Sequence, residues 1–257
     1  MELFLQADTW VALLTLTFLE IILGIDNVIF ISISANKLPE HQIRKATLLG
    51  LALAMITRIL LLFSVSYLIA LKDPFWSIDL GWFKTGLTGQ SLILFLGGLF
   101  LLYKSTKEIR QKVENSNEEQ VLNLPKVVSF KSVIIQIILI DIVFSFDSIL
   151  TAVGMTNGIN GALIIMIIAV IVSIIIMMIF SEPISDYVNN NPTIQMLALS
   201  FLILIGFMLI TESAHLSHTR FFNNSVGVIP KGYLYFAIAF SLGVEMLNLK
   251  IRKNKKS

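Results

Sequence analysis

The chain has 257 residues, of which 56% are hydrophobic and only 14% are charged, and its mean hydropathy is +0.83. Soluble domains carry about 25% charged residues, so this composition excludes an ordinary soluble enzyme and predicts an integral membrane protein. The lack of cysteine excludes disulfides, zinc–thiolate sites, iron–sulfur clusters and thiol catalysis, while the net charge of +2 indicates no class of partner.

Long apolar runs occupy most of the chain, and each predicts a membrane-spanning helix because a backbone in lipid must satisfy its own hydrogen bonds. The predicted spans are 9–34, 46–71, 87–103, 132–156, 160–180, 193–211 and 232–249. The first run is too long for a signal-peptide core and lacks a small-residue cleavage site, so we expect it to remain in the mature protein. The expected fold is an all-α membrane protein of seven transmembrane helices, with residues 1–257 forming a single membrane domain.

Basic residues are unevenly distributed between the connections. Most Lys and Arg residues lie in 35–45, in 104–131 and in the tail after 249. The connections on the opposite side contain only Lys72, Lys84, Arg220 and Lys231. The positive-inside rule therefore predicts an external N-terminus and a cytoplasmic C-terminus. The polar segment 104–131 is expected to be a cytoplasmic linker that divides three helices from four.

Two spans contain related acidic segments. Glu20–Asn27 reads Glu-Ile-Ile-Leu-Gly-Ile-Asp-Asn, and Asp141–Ser148, at an offset of 121 residues, reads Asp-Ile-Val-Phe-Ser-Phe-Asp-Ser. The first and fourth spans cross the membrane in opposite directions, so the pattern predicts a 3+3 inverted repeat. Repeat A covers about 9–103 and repeat B about 132–211, and the final helix, 232–249, follows them.

Carboxylates at mid-membrane cost roughly 2.5–3.5 kcal/mol each, and a bound cation would offset that cost. The candidate metal ligands are Glu20, Asp26, Asn27, Asp141, Asp147 and Ser148. An all-oxygen set suits Mg²⁺, Ca²⁺ or Mn²⁺ and disfavours copper and zinc, without choosing among the three hard ions. In a continuous helix the two acids of one repeat lie about 240° apart. We therefore hypothesise local unwinding at Gly24 and Ser145 that turns both acids into one cavity.

Other polar residues allow two interpretations each. Arg58, alone among basic residues in mid-span, could pair with two of the acids or could act in gating. Glu245 and Asn248 could form a peripheral site, or Glu245 could extend to water at the helix end. Glu212 and His215, with a further histidine at 218, could capture a metal ion or could simply be solvated.

Two further local features predict structure and not binding. Glu182, which precedes Pro183, is expected to end the fifth helix. The pair Gly97–Gly98 and Gly206 are expected to permit close helix packing.

Several segments together resemble the TerC family, which is named from tellurite resistance and belongs with the lysine-exporter-like superfamily of seven-helix carriers. They are Glu20–Asn27, Asp141–Ser148, Gly97–Phe100 followed by Lys104 and Lys107-Glu108, Pro230–Tyr233 and Glu245–Asn248. The resemblance runs from about residue 9 to 250. It implies a multi-pass protein of the bacterial cytoplasmic membrane that exports Mn²⁺ as a transported substrate, is not an enzyme and has no prosthetic cofactor. Its acidic motifs correspond here to the six candidate metal ligands named above.

The expected mechanism is alternating access, with proton antiport as a candidate driver. A Ca²⁺/H⁺ exchanger or other divalent-cation exchanger is the nearest alternative. An intramembrane aspartyl protease also needs two acids, but its Gly-x-Gly-Asp signature is absent. A non-transporting membrane partner in metal loading or stress resistance is a third possibility. The expected partners are a divalent metal ion and membrane lipid, with no nucleic acid, and a homo-oligomer is an open alternative.

Overall fold

The computed structural model describes residues 7–64, 67, 69, 71–117, 129–156, 158–159, 161–222 and 224–256. The side chains of Asp26, 115–117 and 252–256 lie outside this description. The described helices are α1 (Ala7–Ala35), α2 (Glu40–Phe63), α3 (Gly89–Asn117), α4 (Phe130–Met155), α5 (Ala162–Asn189), α6 (Pro192–Leu216) and α7 (Lys231–Lys256). The described strands are β1 (Pro74–Asp79), β2 (Phe83–Thr88), β3 (Arg220–Phe221) and β4 (Asn224–Ser225).

By length and composition, six of the described helices could cross a membrane: α1, α2, α4, α5, α6 and the Lys231–Ile251 part of α7. The predicted span 87–103 corresponds to the first half of α3, which is not one of these six. Its apolar stretch ends at Lys104, but the helix continues to Asn117 through residues that were expected to belong to a linker. The seventh span therefore stays a prediction.

The prediction that Glu182 ends the fifth helix is wrong. α5 continues to Asn189 with Pro183 inside it. A proline removes one backbone donor and crowds the preceding turn, yet here the helix carries on through it for a further six residues. Glu182 instead lies 3.3 Å from Arg44 in an exposed ion pair.

The chain divides into two units, and unit 1 comprises Met1–Ala70 and Leu124–Asn190. Within it α1 packs along α5, and α2 packs along α4. Gly24 allows α1 and α5 to approach closely, because a Cβ at this position would lie 2.0 Å from the Sδ atom of Met177. Buried apolar side chains such as Ile137 and Ile174 fill the space between these helices.

Two hydrogen bonds fix the relative direction of α1 and α4. Asn27 Nδ2 donates to Asp141 Oδ1 at 3.2 Å, and Gln136 Nε2 donates to Ser34 Oγ at 3.1 Å. Moving forward along α1 from Asn27 to Ser34 therefore means moving backward along α4. The two helices that carry the acidic segments are antiparallel.

Unit 2 comprises Leu71–Asn123 and Asn191–Ser257, and in it α3 packs against α6. A Cβ on Gly98 would lie 2.6 Å from the carbonyl oxygen of Gly206, and a Cβ on Gly206 would lie 2.9 Å from that of Gly98. Neither backbone oxygen can move aside without displacing a helix. The predicted role of these two glycines in close helix packing is confirmed.

The all-α prediction is wrong in one respect, because unit 2 also contains a small antiparallel sheet in the order β1-β2-β3-β4. Phe75, Trp76 and Ile78 are residue types that favour strands, and Gly81, at φ 79°, turns β1 into β2. Such short strands give little alternation in the sequence, and all their residues except the last two of β2 lie in segments predicted as connections between spans.

The close approach of α3 and α6 makes a first prediction. Gly98→Ala should destabilise the protein by about 1–3 kcal/mol, because the added methyl group overpacks a backbone contact. Gly154→Ala is the matched control, since no atom lies within 4 Å of a Cβ built there. Removing a helical glycine at an open site should instead stabilise by about 0.5–1 kcal/mol. Thermal unfolding of the purified proteins in detergent measures both, and equal effects would contradict the packing assignment.

Candidate functional site

A buried arginine joins two of the predicted acids. Arg58 Nη1 donates to Glu20 Oε2 at 2.5 Å, and Arg58 Nη2 donates to Asp141 Oδ1 at 2.9 Å. The three residues are 3%, 5% and 2% exposed and come from α2, α1 and α4. Glu20 and Asp141 lie near the middle of their helices. The arginine therefore ties three helices of unit 1 together at one buried point.

Asp141 is the most heavily hydrogen-bonded of these groups. Its Oδ1 accepts from Asn27 at 3.2 Å as well as from Arg58. Its Oδ2 accepts from Ser145 Oγ at 3.1 Å, and Thr57 Oγ1 lies 3.2 Å away, with its single proton shared with the carbonyl oxygen of Ala54 at 2.9 Å. A carboxylate offers about four acceptor positions, so these donors use most of its capacity and hold it in one orientation.

Glu20 is held much more lightly. Its one hydrogen bond within the described part of the chain is the contact with Arg58. Glu20 also lines a small enclosed pocket of about 10 Å³ beside Leu16. The two acids, equivalent in the repeated sequence pattern, thus have different surroundings.

The hypothesis of local unwinding at Gly24 and Ser145 is wrong. Both α1 and α4 are continuous α-helices through their acidic segments. Gly24 allows α5 to pack closely against α1, and the Ser145 hydroxyl donates a hydrogen bond to Asp141. A small residue and a polar residue in these positions therefore have packing and hydrogen-bonding roles that need no broken helix.

The structure brings only part of the predicted ligand set together. Glu20, Asn27 and Asp141 share one network with Arg58. Asp147 and Ser148 are both 5% exposed, but on a continuous helix Asp147 lies about 240° around from Asp141. The Ser148 hydroxyl donates to the carbonyl oxygen of Ser145 at 3.2 Å. The side chain of Asp26 is outside the described residues.

No metal cage is assembled among the side chains that the structure describes: they contain no group of three or more His, Asp or Glu residues placed to hold a metal ion. Two carboxylates of the predicted set instead hold a guanidinium. Of the two interpretations of Arg58, the structure shows the pairing with two acids. Thr57 was missed by sequence reasoning, although a polar residue next to the one mid-span arginine was a usable signal.

The secondary candidates other than Arg58 lie in unit 2. Asn248 Nδ2 donates to Glu245 Oε2 at 3.4 Å on the exposed side of α7. His215 Nδ1 lies 3.2 Å from the carbonyl oxygen of Val226, and Glu212 is half-buried one turn earlier. These contacts are local, and the described side chains form no metal-binding group around them.

Two larger cavities lie at opposite ends of α1. The C-terminal cavity, of about 540 Å³, is lined by polar residues that include Asn36, Glu40, Glu182 and Asp186. The N-terminal cavity, of about 260 Å³, extends from Asp8 to Leu16. Between them the arginine bridge is enclosed. Unit 1 therefore has a closed, charged centre with a cavity towards each end.

Comparisons with known proteins agree on one group. A family model described as "Integral membrane protein TerC family" matches residues 5–257. The chain is 45% identical over 250 residues to the UPF0053 inner membrane protein YgdQ of Escherichia coli (strain K12), covering 97% of this chain and 95% of YgdQ. It is 43% identical over 249 residues to a UPF0053 protein of Haemophilus influenzae, covering 97% of each.

A longer relative contains the same region as part of a larger protein. The UPF0053 inner membrane protein YoaE of Escherichia coli (strain K12) is 40% identical over 254 residues, which cover 99% of this chain but 45% of YoaE. No solved structure matches the chain.

The bridge makes a second prediction. Asp141→Asn should destabilise the protein by about 3–5 kcal/mol, because removing one partner of a buried charge network leaves the others uncompensated. Glu114→Gln is the control, since it breaks the exposed pair between Arg110 and Glu114 and should cost less than about 1 kcal/mol. Thermal unfolding in detergent tests both variants, and a loss of similar size in the two would show that the bridge is not structural.

Proposed function

Because the chain belongs to the TerC family of integral membrane proteins and lies in the bacterial cytoplasmic membrane, we propose that it is a transporter that exports Mn²⁺ from the cytoplasm. The relatives' names specify an inner membrane location for those proteins and no substrate. The choice of a divalent cation therefore depends on the chemistry of the buried site.

The observation that carries the proposal is the pair of buried carboxylates that share one guanidinium in unit 1. Glu20 and Asp141 are 5% and 2% exposed, and Arg58 contacts one oxygen of each. One guanidinium carries a single positive charge, whereas two ionised carboxylates carry two negative charges. The excess negative charge of this group, together with the amide oxygen of Asn27, favours a hard cation bound through oxygen.

The helix packing supports alternating access between inverted repeats. Adding the 121-residue offset of the two acidic segments takes α1 onto α4 and α2 onto α5. A two-fold rotation that exchanged the two repeats would therefore turn the contact of α1 with α5 into the contact of α4 with α2. Both contacts are present. The antiparallel direction of α1 and α4 also agrees with such a repeat.

In the proposed mechanism, Mn²⁺ reaches the bridge from the C-terminal cavity of α1 and leaves through the N-terminal cavity. This direction adopts the predicted orientation, with the N-terminus outside. The bridge is enclosed between the two cavities, which suits an occluded state. Since α1 and α4 are continuous, access changes by movement of whole helices and not by bending within the acidic segments.

The third prediction concerns the acids. In proteoliposomes, Glu20→Gln, Asp26→Asn, Asp141→Asn and Asp147→Asn should each abolish Mn²⁺ transport, because each removes a carboxylate of the proposed ligand set. Glu114→Gln, an exposed change on α3, should transport at the wild-type rate. A size-exclusion profile confirms that each variant is folded. Normal transport by any two of the acid variants would count heavily against the site.

The fourth prediction concerns the driver and the ion. Proton antiport requires that an imposed pH gradient accelerate Mn²⁺ movement in the direction opposite to proton flow. If the Mn²⁺ flux does not change with the pH gradient, proton antiport is excluded and the proposal of Mn²⁺ transport is unaffected.

Excess Ca²⁺ should compete weakly with Mn²⁺ for transport, and strong Ca²⁺ uptake would instead favour a Ca²⁺/H⁺ exchanger. An unchanged cellular phenotype of Asp26→Asn would favour a non-transporting partner in metal loading.

A further inference from the structure

Arg58 occupies a position that a transported cation has to reach. Its guanidinium lies between Glu20 and Asp141 and contacts one oxygen of each. A divalent ion bound to Glu20 would stand within a few ångströms of this positive group, in a medium that screens charge poorly. The ion and the guanidinium therefore repel each other at Glu20 and compete for its carboxylate.

The two ends of the bridge are held very differently. Asp141 is fixed by donors from Asn27, Thr57 and Ser145 besides the arginine. Glu20 has Arg58 as its one hydrogen-bond partner among the described residues. Arg58 makes one hydrogen bond to each acid, but moving the Glu20 carboxylate would break that bond alone, whereas moving the Asp141 carboxylate would also disturb its bonds to the other donors. Asp141, whose oxygens are already occupied, is therefore the fixed partner of the guanidinium, and Glu20 is the acid that can part from it.

The arginine is also incompletely satisfied. Its Nε is buried and has no hydrogen-bond partner among the residues that the structure describes. A permanent structural arginine in a protein interior usually has its donors paired, since an unmet buried donor is costly. Asn27 Oδ1, beside Asp141, is likewise buried without a partner in the described part of the chain. These unmet atoms fit an arrangement that is complete only in another state of the site.

We propose that Arg58 is a tethered cation that takes the place of the transported ion on Glu20 whenever the carrier is empty, while staying anchored to Asp141. This inference rests on the proposed transport function. When a divalent ion arrives, it displaces the guanidinium from Glu20. When the ion leaves, the guanidinium returns, so the empty site can close and reorient without exposing a bare carboxylate to a dry interior.

The proposal separates two kinds of transport. Net efflux requires the carrier to return without Mn²⁺, and this return uses Arg58 whether or not a proton is also carried. Exchange of labelled Mn²⁺ inside for unlabelled Mn²⁺ outside needs no empty step, because the carrier is loaded in both directions. Removing the guanidinium should therefore impair the first process and spare the second, whereas simple structural damage would impair both.

The test uses Arg58→Met in proteoliposomes loaded with ⁵⁴Mn²⁺. Net efflux should fall at least about tenfold, because the return state loses its compensating charge, while exchange should stay within about twofold of wild type. Arg110→Met is the matched control, since Arg110 is exposed and pairs with Glu114 on α3; both rates should be unchanged in it. Equal loss of the two processes, or loss of neither, overturns the proposal.

A binding measurement gives a readout independent of transport. The electron paramagnetic resonance signal of free Mn²⁺ is titrated with purified protein in detergent. Arg58→Met should bind Mn²⁺ about tenfold more tightly than wild type, because no tethered competitor has to be displaced. Arg110→Met should bind as wild type does. A folded Arg58→Met protein with unchanged or weaker binding would show that the arginine is not a competitor.

Loss of buried charge compensation could prevent Arg58→Met from folding, and Arg58→Lys then decides the question. A compact ammonium lacks the fork that spans two carboxylates, so it can stay on Asp141 without reaching Glu20. Net efflux should fall more than exchange, and an equal change in both overturns the proposal. Wild-type protein that neither binds nor moves Mn²⁺ would instead refute the proposed function itself.

Discussion

The structure of unit 1 depends on one interaction, the guanidinium of Arg58 held between two buried carboxylates. Each of the three charges would be costly alone, and removing any one leaves the others uncompensated. The contacts with Glu20 and Asp141 draw α2 to α1 and α4 at a single point. The same interaction thus orders the helices and sets the charge that remains for a substrate.

The repeated acidic segments have the same residue pattern but have taken on different physical roles. Asp141 is saturated with hydrogen bonds and acts as a fixed support. Glu20 has a single charged partner and faces a small pocket. α5, the helix that the repeat would match to α2, contains no Lys, Arg or His, so the arginine has no counterpart there. In the proposed carrier, the acid with one partner would be the exchangeable carboxylate and the saturated acid the immobile one.

The apolar helices could be predicted from the sequence because a helix in lipid needs apolar residues, and these give its segment a high mean hydropathy. Sequence reasoning also found the acids and the close contact of Gly98 with Gly206. It could not decide which acid meets Arg58, since contacts between helices far apart in sequence depend on rotation about each axis. The passage of α5 through Pro183 and the short strands of unit 2 were missed for a related reason. In both cases tertiary contacts outweigh a weak local signal.

The two cavities approach the bridge from opposite ends. Leu16 lines the N-terminal cavity one helical turn before Glu20, and Met178, which lines the C-terminal cavity, follows Met177, whose side chain packs on Gly24 one turn after Glu20. An electric field across a membrane is concentrated where the path is dry. In the proposed carrier the membrane voltage would therefore fall over the short enclosed stretch that contains the bridge, and a doubly charged ion that crosses this stretch would meet roughly 4.6 kcal/mol per 100 mV.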